Sequence, residues 1–133
     1  ATVTSNIINN PGTFGANGIH LNHGKTSTPA GGGGADSQTG CFDIRTNNIV
    51  GAGNAGAGST DFRLRQRINT TVQLVGYTGS ASDTAAVIAY VQGLNTGAET
   101  GQATVSGTGG GFINTPSGVN CPSPTLPTLP SAP

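Results

Sequence analysis

Charge and bulky side chains are scarce in this chain of 133 residues, which has no methionine, no tryptophan and only 5% aromatic residues. Charged residues make up 8% of the sequence, and five basic residues balance five acidic ones for a formal net charge of zero. This balance supports neither electrostatic capture of nucleic acid nor attraction to an anionic membrane surface. No apolar run approaches the length of a membrane span, so membrane insertion is not predicted either.

Glycine and small polar residues take the place of charge in this sequence. Its 23 glycines stand among many Ser, Thr and Asn residues, a composition typical of secreted β-rich proteins. Glycine and proline together make 31 of the 133 residues, close to the share found in low-complexity chains, so disorder is an alternative. The apolar residues cluster into regular runs, which favours a folded chain, and the length suits one domain.

Two cysteines, Cys41 and Cys121, lie eighty positions apart, with no Cys-x-x-Cys spacing and no accompanying histidine pair at zinc spacing. We predict a single disulfide between them, which in the chain-entropy model contributes at most about 4.5 kcal/mol for a loop of this length. Such a bond requires an oxidising compartment, and two separate buried thiols are the alternative. No segment resembles a signal peptide, so we expect a chain already processed or cut from a longer one.

The clearest strand signal opens the segment DFRLRQRINTTVQLVGY, residues 61–77. Alternation with period two places Phe62 and Leu64 on a buried face of this strand. The same alternation places Arg63, Arg65 and Arg67 on the opposite, exposed face. Three of the five basic residues of the chain are therefore predicted to share one surface.

Short apolar-x-apolar pairs repeat along the first half of the chain. Superimposing them aligns four apolar residues about twenty positions apart, namely Val3, Leu21, Ile44 and Leu64. A second match joins the pattern V-x-x-N-x-I at residues 3–8 to I-x-x-N-x-I at residues 44–49. Four coils of about twenty residues, each carrying two short strands between Gly/Asn-rich turns, are the pattern of a parallel β-helix.

Several stretches together resemble a known family. VTSNIINNPGTFGANGIHL, CFDIRTNNI, DFRLRQRINTTVQLVGY and SDTAAVIAYVQGLN are similar to the C-terminal end of large secreted bacterial repeat proteins, which are right-handed parallel β-helices of the pectate-lyase-like superfold. The resemblance covers about residues 1–95. It implies an all-β chain with about four coils, a capping helix and a secreted or cell-surface location. It implies no particular activity, because β-helices host lyases, hydrolases, adhesins and inert spacers alike.

The predicted organisation has four parts. Residues 1–80 form the coils, and the alanine-rich residues 81–97 form a helix with Ser82 or Asp83 as its N-cap. This helix is expected to cover the open end of the strand stack, whose backbone groups would otherwise stay unpaired. Residues 98–121 form a Gly/Thr-rich extension pinned by the disulfide, and residues 122–133, with five prolines, form an extended tail.

Polar residues of the aligned repeats form two outward columns, Thr2, His20, Asp43 and Arg63 in one and Thr4, Asn22, Arg45 and Arg65 in the next. In this register Asp43 lies about 4.8 Å from His20 on one side and from Arg63 on the other. The candidate carbohydrate-binding or anion-binding residues are therefore His20, Asn22, Asp43, Arg45, Arg63 and Arg65. A solvated ladder of charges is the alternative, although Arg45 beneath Arg65 is unfavourable unless an acid such as Asp61 intervenes.

Catalytic chemistry finds little support in the sequence. Five carboxylates are too few for the calcium cluster of a lyase, and Asp43 with Asp61 is the remaining glycosidase pair. His20 and His23 lack a third metal ligand, and the glycine runs lack the residues of a phosphate loop. Asn69 begins a formal glycosylation signal inside a predicted strand. We expect no enzymatic activity, no cofactor and no metal.

These observations favour an extracellular structural or adhesive module. We expect it to associate with itself into a filament or matrix, or to form the end of a larger surface protein. Its first strand, residues 1–8, presents an open edge that fits a second copy or upstream coils. The alternative is a carbohydrate-binding or polysaccharide-lyase-like domain that uses the exposed His, Asp and Arg side chains and takes surface glycans as partners.

Overall fold

The computed structural model describes residues 1–9, 17–24, 38–50, 60–106, 109–116 and 121. Within these ranges the chain forms strands β1 to β9 and one helix, α1. In chain order they are β1 Thr2–Thr4, β2 Ile7–Asn9, β3 Ile19–His23, β4 Gln38–Arg45, β5 Asn48–Val50, β6 Phe62–Gln66, β7 Thr70–Leu74, α1 Thr84–Leu94, β8 Gly101–Val105 and β9 Gly109–Asn114. The predicted proline-rich tail, residues 122–133, lies outside the described residues.

The strands form three small parallel sheets, which confirms an all-β chain with one short helix. The first sheet has the order β1-β4-β7-β9, the second β2-β5 and the third β3-β6-β8. Every strand pair is parallel. The chain visits the sheets in rotation, because β1, β2 and β3 each enter a different sheet and β4, β5 and β6 repeat that order. After β7, the helix precedes a parallel bridge between Thr96 and Asn48, and β8 and β9 then rejoin the third and first sheets.

The observed register confirms one predicted match and corrects the other. Val3 pairs with Ile44 and Ile8 with Ile49, as the longer pattern indicates. Leu21 instead pairs with Leu64 in the third sheet, so its predicted place between Val3 and Ile44 is wrong. Paired residues are roughly thirty to forty-five positions apart, not twenty. The reason is that apolar-x-apolar pairs recur in every sheet and do not tell one sheet from another.

Three asparagines form a hydrogen-bonded column, here called the asparagine column, along the turns that join the first and second sheets. The main-chain N and Nδ2 of Asn6 donate to Oδ1 of Asn47 at 3.1 and 3.0 Å. Asn47 donates in the same way to Oδ1 of Asn95, at 3.1 and 2.8 Å. The residues before the first two asparagines, Ser5 and Thr46, have φ of 57° and 56°. Because the two turns share this backbone conformation, one turn can stack on the other.

The core lies between the sheets and consists of inward-facing apolar side chains. Its fully buried members include Ile44, Ile49, Phe62, Leu64, Val72, Leu74 and Phe112. The burial of Phe62 and Leu64 confirms the alternation predicted for β6. A disulfide joins Cys41 in β4 to Cys121 with a Cα–Cα distance of 5.3 Å, as predicted.

Helix α1 packs against β8 and β4 and buries Val87 and Val91 in the same core. Its N-cap is Asp83, whose Oδ1 accepts a hydrogen bond from the N–H of Ala86 at 2.9 Å, one of the two predicted caps. The sheets continue beyond this helix, because β8 pairs with β6 and β9 with β7. Residues 98–121 therefore contribute two strands to the sheets that residues 1–80 begin. No helix in the described part of the chain is long and apolar enough to cross a membrane.

Candidate functional site

The third sheet carries a polar, positively charged outer surface. Along β6 the inward Phe62, Leu64 and Gln66 are buried, while Arg63 and Arg65 lie half-buried on the other side. The register aligns His20 with Arg63 and Gln102, and Asn22 with Arg65 and Thr104. We call this surface the basic face, and with Arg67, placed below, it consists of His20, Asn22, Arg63, Arg65, Arg67, Gln102 and Thr104.

Arg67 reaches the same surface from the turn that follows β6. Its main-chain N–H donates to the carbonyl of His23 at 2.9 Å, and its Nε donates to Oδ1 of Asn22 at 2.8 Å. Buried Gln66 fixes this turn, because its Nε2 donates to the carbonyls of Arg67 at 2.5 Å and Thr70 at 2.7 Å. All three arginines of residues 61–77 therefore lie on the side of the segment that the sequence predicts to face outward.

The basic face lacks a carboxylate of its own, since β3, β6 and β8 contain neither Asp nor Glu. Asp61, directly before β6, is buried, and its Oδ2 accepts from the N–H of Thr100 at 2.7 Å and from its hydroxyl at 2.9 Å. The Nε of Arg63 is buried and has no hydrogen-bond partner in the described part of the structure. A buried donor without an acceptor costs about 1–3 kcal/mol, and more when charged.

Asp43 and Arg45 form a separate ion pair on the first sheet. Nε of Arg45 lies 2.5 Å from Oδ1 of Asp43, and its terminal nitrogen lies 2.9 Å from Oδ2. The hydrogen bond that Arg45 donates to Asp43 raises the pKa of Arg45, with burial acting in the opposite direction. Both residues are in β4, where the chain pairs them with Thr2 and Thr4.

The six predicted site residues thus divide between two sheets. His20, Asn22, Arg63 and Arg65 come together on the third sheet, as the alignment of β3 with β6 indicates. The prediction that Asp43 lies between His20 and Arg63 is wrong, and so is the stacking of Arg45 beneath Arg65. The physical reason is again the register, because β4 returns to the first sheet and not to the third.

Sequence reasoning missed two members of the face, Gln102 and Thr104. They lie on β8, within residues 98–121, for which the sequence predicts only a Gly/Thr-rich extension. Gly101 carries a usable signal, because it pairs with Phe62 and a Cβ at this position would overlap the phenylalanine ring. A glycine beside a large inward residue is what close packing of these strands requires.

Two other predicted features have clear positions. Asn69 lies in the turn between β6 and β7 with φ of 57°, so its predicted place inside a strand is wrong. Among the residues that the structure describes, no group of three or more His, Cys, Asp and Glu side chains is arranged to hold a metal ion.

Comparison of the chain with protein-family models, with curated proteins and with solved structures finds no match in any of the three. The functional argument therefore rests on the geometry of the chain itself.

Proposed function

We propose that this chain is an extracellular structural or adhesive module, built as a right-handed parallel β-helix that joins further coils at one end. The observation that carries the proposal is the rotation of the chain through three parallel sheets. In this proposal the three sheets are the faces of one parallel β-helix. Its successive coils are β1–β3, β4–β6 and β7–β8. β9 begins a fourth. Right-handedness is the expected sense, because connections between parallel strands of a sheet are almost always right-handed.

The disulfide supports an extracellular location. Cys41 and Cys121 are joined, and no free cysteine is found in the described chain. Disulfides form and persist in oxidising compartments and are rare in the reducing cytosol.

The end of the stack formed by β1, β2 and β3 supports the joining of a further coil. These strands have no partner on their outer edges among the described residues. Oδ1 of Asn47 and of Asn95 each accepts two hydrogen bonds from the preceding asparagine, whereas Oδ1 of Asn6 receives none from the described residues. Unpaired edges of this kind favour pairing with another strand. A strand of another chain that offers a donor at this turn would satisfy this edge.

The asparagine column ends at its other side, which limits growth there. Nδ2 of Asn95 donates to the carbonyl of Val91 at 2.8 Å and to that of Ile44 at 3.1 Å. Both amide hydrogens are thus used within the chain, and α1 precedes this residue where earlier coils carry a strand. We therefore expect association through the β1–β3 edge and particles of finite size.

Sedimentation velocity over a range of protein concentrations tests this proposal. Asn6 directs its N–H and its carbonyl toward Asn47 and Asn48, so the N–H of the next residue, Ile7, faces the outer edge. Ile7→Pro removes this donor, and proline is tolerated on edge strands. Ile7→Thr is the matched control, because it keeps the N–H and replaces the apolar side chain, which is 80% exposed, by a polar one.

The native chain and Ile7→Thr should associate as concentration rises, and Ile7→Pro should remain monomeric. A native chain that stays monomeric throughout would contradict association at this edge. Loss of association in Ile7→Thr would assign it to the exposed side chain instead.

A second candidate function is recognition of carbohydrate or of an anion by the basic face. The observation in its favour is the surface of β3, β6 and β8, which carries Arg63 and Arg65 and no Asp or Glu in these strands. Binding without cleavage is the form of this candidate that the described residues support, because Asp43 is engaged by Arg45 and Asp61 by Thr100. Retention on a glycan array, compared between the native chain and Arg63→Gln, tests it.

A further inference from the structure

We propose that the basic face binds a linear acidic polysaccharide along β6, through the sulfate or carboxylate groups of its sugars. This inference rests on the second candidate function and specifies its ligand. It does not depend on whether the chain associates with itself.

The spacing of the cations suits an extended polyanion. Arg63 and Arg65 are two residues apart on one strand, which separates them by about 7 Å along its axis. Arg67 continues the row past the end of β6. Positive groups therefore follow the strand direction, as the charges of a linear ligand would.

The chemistry of the side chains suits oxyanions on a sugar chain. A guanidinium presents paired N–H donors that match the two oxygens of a carboxylate or sulfate, and such charge-assisted bonds are among the stronger ones. Gln102 and Thr104 lie next to the arginines in the register and offer neutral hydrogen-bonding groups for hydroxyls. A surface with both kinds of group can bind the charged groups and the hydroxyls of an acidic polysaccharide. A simple ion would use the charged groups alone.

Nucleic acid fits this surface less well. Single strands are held largely by stacking of bases on aromatic side chains, and the one aromatic residue of the strands that carry the face, apart from the histidines, is the inward Phe62. Duplex binding depends on neutralising many phosphates, whereas three arginines lie here on a chain of zero net charge. The observations therefore favour a polysaccharide.

The test measures binding of the full chain to fluorescently labelled polysaccharides by polarisation. Heparin supplies sulfate groups, polygalacturonate supplies carboxylates alone, and dextran is the neutral control. We expect binding to heparin, to polygalacturonate or to both, weakening as salt increases, and no binding to dextran. The two acidic ligands identify which group is recognised. A duplex DNA of similar length tests the competing class of ligand.

Arg63→Gln and Arg65→Gln should each weaken binding by at least about tenfold, the loss expected for one charge-assisted hydrogen bond. Arg45→Gln is the matched control, because it removes the same charge from the first sheet, and it should change affinity by less than about twofold. Circular dichroism of each variant checks that the fold is retained.

The inference would be overturned by equal weakening by Arg45→Gln, by tighter binding to DNA than to either acidic polysaccharide, or by no binding to any acidic ligand. Retention of dextran by the native chain but not by Arg63→Gln would leave carbohydrate recognition standing and reject the acidic ligand. None of these results affects the sedimentation test of association.

Discussion

Asn47 donates two hydrogen bonds to the side-chain oxygen of Asn95, one from its main-chain N–H at 3.1 Å and one from its Nδ2 at 2.8 Å. Its own Oδ1 accepts the same pair of bonds from Asn6. Both Asn47 and Asn95 are buried, whereas Asn6 is exposed. The column therefore contains one interior member, with partners on both sides, and one member at the open edge of the stack.

Replacing Asn47 by alanine should lower the free energy of unfolding by about 2–3 kcal/mol, because it leaves polar groups of its neighbours without partners in a buried site. Asn6→Ala is the matched control, and it should cost less than about 1 kcal/mol because water can replace its bonds. Urea unfolding followed by circular dichroism measures both values. Equal losses in the two variants would show that burial of the column does not determine its contribution.

Reduction of the disulfide between Cys41 and Cys121 should destabilise the fold strongly. The closed loop spans 80 positions, for which the chain-entropy model gives about 4.5 kcal/mol as an upper value. Urea unfolding with and without a reducing agent measures the loss. The double variant Cys41→Ser/Cys121→Ser should match the reduced protein and be insensitive to the reductant. An unchanged midpoint after verified reduction would contradict the expectation.

Tyr90 should make the protein less stable at alkaline pH. Burial, helped by the negative charge of Asp43 and opposed by Arg45, raises the pKa of its hydroxyl from 10.0 to about 12. Between about pH 10 and about pH 12 the unfolded chain has lost this proton while the folded chain retains it, so stability falls as pH rises. Below about pH 10 the contribution of Tyr90 to stability does not change with pH. Ultraviolet absorbance of the phenolate, together with unfolding curves across this range, measures the effect.

Tyr90→Phe is the variant that checks the assignment. It should flatten the alkaline decrease without abolishing it, because burial also raises the pKa of Tyr77, with a smaller contribution from Asp83. At neutral pH the variant should lose some stability as well, since the hydroxyl of Tyr90 donates to the carbonyl of Val75 at 2.6 Å. An alkaline decrease that is equally steep in Tyr90→Phe would assign the effect to other groups.

The longest sequence patterns predicted the structure best. The V-x-x-N-x-I match between residues 3–8 and 44–49 spans two strands and the turn between them, and its register is the observed one. The helix was predictable because Asp83 provides a cap and Val87 and Val91 repeat at helical spacing. Burial of Phe62 and Leu64 followed from strict alternation in β6.

Shorter patterns failed where a choice between sheets was needed. An apolar-x-apolar pair fixes which side chains face inward but not which strand lies alongside, since that depends on chain closure over about forty residues. The short pattern consequently predicts Asp43 beside His20, whereas Asp43 pairs with Thr2 in the structure. The role of Asn95 was equally hidden, because it follows a helix and not a strand.

Both the open edge and the basic face depend on the register that pairs His20 with Arg63. Nuclear Overhauser contacts in isotope-labelled protein would reveal it. We expect contacts between the backbones of His20 and Arg63 and between those of Arg63 and Gln102, in the pattern of parallel strands. Contacts that instead place Asp43 between His20 and Arg63 would contradict it.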